Sequence, residues 1–194
     1  MTKLVYGVGF NDRKYPANSH GKPLKEYIVW LQMIMRCYSE NYQNKRPTYI
    51  GCTVSENFKN YSYFYEWCQK QVGFGEDGFQ LDKDILLKGN KIYSEDTCVF
   101  VPVEINSLII SCTSRRGDCP IGVYFDKQIN KYIAKCSVDS KQLTIGYFDD
   151  PISAFEAYKH EKEQRFKIIS KRWKGRIDER VYLSLLERTV DIDD

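Results

Sequence analysis

Residues 121–148 read IGVYFDKQINKYIAKCSVDSKQLTIGYF. Three runs in and just after this stretch, IGVYFD, KYIAKCSV and LTIGYFD, are rich in β-branched and aromatic residues, and the short polar connections KQIN and DSKQ separate them. That spacing predicts three antiparallel strands. Asp150 and Pro151 follow, then ISAFEAYKHEKEQRFKIISKRW, in which Ala154, Phe155, Tyr158 and Lys162 recur at helical spacing. Aspartate and proline both suit a helix start, so a helix is predicted next. A sheet with one apolar face needs a cover, and the helix nearest in sequence supplies it.

Upstream, residues 111–120 read SCTSRRGDCP, a small, charged and turn-forming stretch that marks a domain boundary. Before it, LKEYIVWLQMIMRCY at 24–38 places Tyr27, Trp30, Leu31, Ile34 and Tyr38 on one helical stripe. NFKNYSYFYEWCQKQ, from Asn57, repeats the pattern, with Ser55 and Glu56 as candidate caps, and GFGEDG at 73–78 ends it. LDKDILLKGNKIYSEDTCVF at 81–100 predicts two short strands around LKGNK, and VPVEINSLII a short closing helix. The expected class is α+β, with one domain over 1–110, a linker over 111–120 and a second domain over 121–194.

Composition narrows the function classes. The 194 residues carry a net charge of only +3, yet RFKIISKRWKGR, from Arg165 to Arg176, holds six cations and no acid, a local field suited to phosphate contact. Seven cysteines, an odd number with no C-x2-C or C-x4-C pair, argue for reduced core thiols rather than disulfides or a zinc site. No long apolar run is present, and MTKLVYGVGFNDRKY lacks a signal-peptide core, so the expected location is cytoplasmic, with no membrane partner.

The order GV-x-F, KYIA, L-x-IGYF and PISAFEAYKHEKE resembles the Apetala-type (ethylene-response-factor) DNA-binding domain. The whole chain over roughly 24–190, through LDKDILLKGNK, is similar to phage-type HNH proteins that carry such a domain at the C-terminus. The resemblance implies a sheet laid in the major groove of double-stranded DNA with the helix behind it. Its sheet contacts fall on Tyr124, Asp126, Tyr132, Lys135, Ser137 and Thr144. Arg115 and Arg116 near the strand ends, and Lys171 and Arg172 in the basic stretch, would add phosphate contacts. Plant members place arginines and tryptophans at most of the sheet positions, where this chain has only Lys135 as a cation.

Residues 81–100 also have the rhythm of a degenerate ββα-metal (HNH-like) motif. An active site of that type needs a histidine base, groups that hold a divalent cation, and an asparagine that orients the base. The matched position here reads Asp82-Lys83, and His20 and His160 lie outside the motif. A lysine at its ordinary pKa donates a proton rather than accepting one, so cleavage is disfavoured. If the chain is a nuclease, Asp82, Lys83 and Asn106 are the catalytic candidates and Asp82 the ligand for magnesium. Otherwise Lys83 would grip a backbone phosphate. Three functions follow: a DNA-binding protein with an inactive HNH-like domain, needing no cofactor; a magnesium-dependent HNH endonuclease of homing type; or a phage counter-defence or regulatory protein that binds a host protein.

Overall fold

The computed structural model describes residues 4–109, 119–138 and 141–194. The chain is α+β, with six α-helices and four small sheets among these residues. It forms two compact units, one from Met1–Asn106 with Gly175–Val181, the other from Ser107–Lys174 with Tyr182–Asp194. The expected linker at 111–120 lies almost wholly outside the described residues, as do Arg115, Arg116 and Cys112.

The first unit opens on a hairpin, β1 (Asn18–Ser19) with β2 (Lys22–Pro23). Its two turn residues, His20 and Gly21, both have positive φ (49° and 76°), as the tightest hairpin turn requires. His20 is therefore an exposed turn residue. Helix α1 (Lys25–Tyr38) buries Trp30, Met33, Ile34 and Cys37, and α2 (Glu40–Lys45) follows at once, capped by Ser39. β3 (Thr53–Val54) leads to α3 (Tyr61–Cys68), which buries Tyr61, Phe64 and Cys68. Its cap is Asn60, whose carboxamide oxygen accepts the Tyr63 N–H at 3.1 Å. The expected cap, Ser55, instead accepts the Phe58 N–H at 3.2 Å and closes a single tight turn before the helix. The Trp30 indole donates to the Phe58 carbonyl at 2.8 Å, so the largest core side chain is satisfied as well as buried. Truncating Trp30 would cost about 3–5 kcal/mol.

β4 (Phe79–Asp82), β5 (Ile92–Tyr93) and β6 (Val99–Pro102) follow in this unit, and α4 (Val103–Ile109) begins in it. The strands on either side of LKGNK do not pair with each other. β4 runs antiparallel to β6, with Asp82 opposite Val99, and β5 lies parallel to β3. β4 ends at Asp82, so Lys83 and Asp84 belong to a turn rather than to a strand.

In the second unit, β7 (Val123–Asp126), β8 (Lys131–Val138) and β9 (Lys141–Phe148) form one antiparallel sheet in sequence order. α5 (Pro151–Trp173) packs against all three strands. Asp150 caps it, accepting the N–H groups of Ile152 (3.0 Å) and Ser153 (2.8 Å), and Pro151 takes the first turn. Gly122 lets the chain enter β7 hard against this helix: its φ is +75°, and a Cβ there would meet the Tyr158 ring at 2.1 Å. Beyond the sheet, Phe166 and Ile169 of α5 are buried, and the Glu163 carboxylate accepts the Val190 N–H at 3.1 Å, tying the segment after α6 (Glu179–Glu187) to α5. Among the described residues no helix is long and apolar enough to cross a membrane.

Candidate nucleic-acid interface

The LDKD stretch is a locked loop. Asn90, 9% exposed, donates through Nδ2 to the Lys83 carbonyl (2.8 Å) and the Ile92 carbonyl (2.7 Å), while its Oδ1 accepts the Ile92 N–H at 3.1 Å. Lys83 answers by donating through Nζ to the Asn90 carbonyl at 2.7 Å, and pairs with the Asp84 carboxylate. It is 6% exposed, with the Tyr93 ring 5.8 Å from its ammonium. A lysine so enclosed is turned into the protein, so the expectation that it grips an outside phosphate is corrected. Asp82 Oδ1 accepts the backbone N–H groups of Asp84 (2.8 Å) and Ile85 (2.7 Å), which shapes the turn. Burial pushes its carboxyl above the ordinary aspartate value, against the pull of those two donors.

Asn106, the other catalytic candidate, lies on α4 and donates to Gln80 Oε1 at 3.0 Å. Gln80 precedes Asp82 by two residues on β4, so Asn106 and Asp82 address the same face of that strand. Among the described residues no group of three or more His, Cys, Asp or Glu converges as a metal site would require. Cys37, Cys52, Cys68, Cys98, Cys119 and Cys136 are all free thiols.

The sheet of the second unit presents two different faces. Val123, Ala134 and Cys136 point toward α5: the first is 3% exposed, the second fully buried, and the Cys136 thiol lies beside Lys162 and Arg165 of that helix. Their neighbours in each strand point the other way. Tyr124, Ile133 and Tyr147 form one row across the three strands, since Tyr124 opposes Ile133 and Ile133 opposes Tyr147. Lys135 opposes Thr144 in the next row, with its ammonium 4.5 Å from the Tyr124 ring centre. Ser137 and Gln142 form the row beyond, joined by a 3.0 Å hydrogen bond from the Gln142 amide. On the other side, Lys131 opposes Asp126 and pairs with Asp149. The Asp126 carboxylate accepts the Gln128 N–H at 2.9 Å and shapes the connection to β8.

Five of the six sheet positions named from sequence therefore share this open face: Tyr124, Asp126, Lys135, Ser137 and Thr144. The sixth does not. Tyr132 lies three residues before Lys135 in an unbroken strand and so points to the α5 side, where its ring meets Phe125 at 4.9 Å. Tyr147 was missed and is the most exposed large side chain of the row, at 60% against 37% for Tyr124.

The six positions came from the resemblance, which does not include Tyr147, and a β-bulge hides it from alternation as well. Ala134 opposes Gly146 but Lys135 opposes Thr144, leaving Ile145 as an extra residue. Counting by twos from Thr144 arrives at Gly146 and passes over Tyr147. An unbroken Lys135-to-Ile133 count across the partner strand is the signal that would have found it.

Lys171 and Arg172 are exposed on the last turn of α5, about 20 Å along the helix from Tyr158 and on the opposite side of the sheet from the open face. The structure does not bring them together with Tyr124 and Lys135. Comparison of the chain with protein-family models, curated proteins and solved structures finds no match.

Proposed function

We propose that this chain binds double-stranded DNA through the open face of the β7–β9 sheet, with an HNH-like first unit that does not cut. The observation that carries this reading is the gathering of Tyr124, Lys135, Ser137 and Thr144, together with Tyr147, on one uncovered sheet face. A three-stranded face spans about 10 Å between its outer strands, which fits within a major groove about 12 Å wide. Exposed phenol rings supply apolar and stacking contact, and Lys135 supplies charge for phosphate. The buried Lys83 and the Asp82 oxygen committed to two backbone donors argue against a water-activating centre in the LDKD loop.

An endonuclease remains the second reading. Strand β4, its antiparallel partner β6 and helix α4 follow one another in ββα order, and Asp82 shares a strand face with the residue that holds Asn106. One gel separates the two. Supercoiled plasmid incubated with the protein, with and without magnesium or manganese, is expected to show a mobility shift without nicking. Metal-dependent nicking lost in Asp82→Ala would establish the nuclease instead, and neither signal would direct the search to a host-protein partner.

The interface is tested by titration at several salt concentrations. Lys135→Ala is expected to weaken binding and to lower the slope of log affinity against log salt by about 1, the change for one lost phosphate contact. Tyr147→Ala should weaken binding with little change in slope. Arg172→Ala, on the far side of the sheet, should change either quantity less than Lys135→Ala does; the reverse order would move the interface to the end of α5.

A further inference from the structure

Resting on that reading of the sheet face, we infer that the face recognises A·T base pairs, through thymine methyl groups and the adenine edge, rather than guanine. The inference comes from which chemical groups the open face offers in the major groove. Guanine presents two acceptors there, O6 and N7, which a free bidentate cation reads best. No arginine stands on this face among the described residues; of its two lysines, Lys135, with its ammonium over the Tyr124 ring, is the one assigned to phosphate, and Lys131 pairs with Asp149.

Apart from the Asp126 carboxylate, which accepts the Gln128 N–H at one end, and the two lysines, what the face offers is apolar, hydroxyl or amide in character. The Tyr147 ring is 60% exposed, while Ile133 beside it is covered at 3% exposed, so the apolar surface presented in this row is that of the rings. Thr144 adds a methyl group one row away. A thymine C5-methyl gains from such contact, and cytosine has no methyl group at the same place in the groove.

The second half of the reading lies in Gln142. Its Nε2 donates one hydrogen to Ser137 Oγ at 3.0 Å, which orients the amide. The second Nε2 hydrogen and Oε1 then form the donor and acceptor pair that adenine N7 and N6 require. A guanine in that place would set its O6 against the amide oxygen, acceptor against acceptor.

Three pools of short duplexes of equal length and randomised order test the inference at one salt concentration: A·T-rich, G·C-rich, and the A·T-rich pool with deoxyuridine in place of thymidine. The A·T-rich pool is expected to bind about tenfold tighter than the G·C-rich pool, and loss of the methyl groups should remove a large part of that advantage. Gln142→Ala should narrow the A·T to G·C ratio while leaving the salt slope unchanged.

Equal affinity for all three pools, or preference for G·C, would overturn the inference while leaving DNA binding intact. A preference for A·T that deoxyuridine does not reduce would also overturn it, since groove shape rather than methyl contact would then be read. Binding to no duplex at all would sink the DNA-binding reading and this inference together. Retention of the native far-ultraviolet circular dichroism spectrum in the Gln142 variant separates lost recognition from lost folding.

Discussion

At the scale of single residues, the loop from Asp82 to Ile92 shows how a stretch with the rhythm of an active site holds itself together. Asn90 makes three hydrogen bonds and receives a fourth on its carbonyl from Lys83, all inside the loop. Removing its side chain strands the Lys83 carbonyl and the Ile92 N–H, while the Ile92 carbonyl keeps the Thr97 hydroxyl at 2.9 Å, and each stranded group costs about 1–3 kcal/mol. Asn90→Ala is therefore expected to lower the unfolding free energy by about 2–4 kcal/mol, read from a denaturant titration; a loss under 1 kcal/mol would mean that the loop is not a stabilising element. From sequence, Lys83 was legible as a substitute for a histidine or as a phosphate contact, and nothing singled out its bonds with Asn90. Their mutual bonds bridge seven positions and cross no regular element, so no periodic pattern announces them.

At the scale of elements, the start of α5 was written in the sequence in full: a capping aspartate, a proline, then an apolar stripe. Its cap should titrate. The N–H and hydroxyl of Ser153 hold the Asp150 carboxyl below the ordinary value of 3.8, so the folded chain binds this proton less readily than the unfolded chain. The cap's contribution is thus fully present above 3.8 and fades as pH falls through the lower folded value. Asp150→Asn keeps a capping carbonyl that does not titrate. Wild type is expected to lose stability relative to this variant on acidification below about pH 4, measured by thermal melts across pH. Parallel curves down to pH 2 would show that the cap does not report charge. Strand identities in the second unit were equally readable from their β-branched and aromatic runs, but the pairing partners around LKGNK were not. Two short strands near each other in sequence look like a hairpin, whereas β4 and β5 find their partners in β6 and β3. Those pairings depend on the contacts of the whole unit, which local propensity does not encode.

At the scale of the whole molecule, each unit carries its own buried thiols: Cys37, Cys52, Cys68 and Cys98 in the first, Cys136 in the second. Burial raises the Cys37 thiol to about 12 and pushes Cys68, Cys98 and Cys136 upward as well. Only a thiolate reacts with iodoacetamide, so these positions should label no faster than the unit around them unfolds, with half-buried Cys119 ahead of them. Mass mapping of labelled peptides through a denaturant series then reports each unit separately. Fast labelling of Cys136 in the native protein would contradict the packing of α5 on the sheet.

The bulge in β9 has a consequence for descent. A chain that lost Ile145 would keep Thr144 against Lys135 and Gly146 against Ala134, so every other side chain would remain on its present face. Loss of a residue elsewhere in the strand would instead turn part of it over, exchanging the groups offered to solvent for those that meet the helix. Position 145 is thus where a lineage can shorten this strand and still present the same surface. Between two diverged chains, a gap set one place away from it would match exposed residues with buried ones and hide a shared interface.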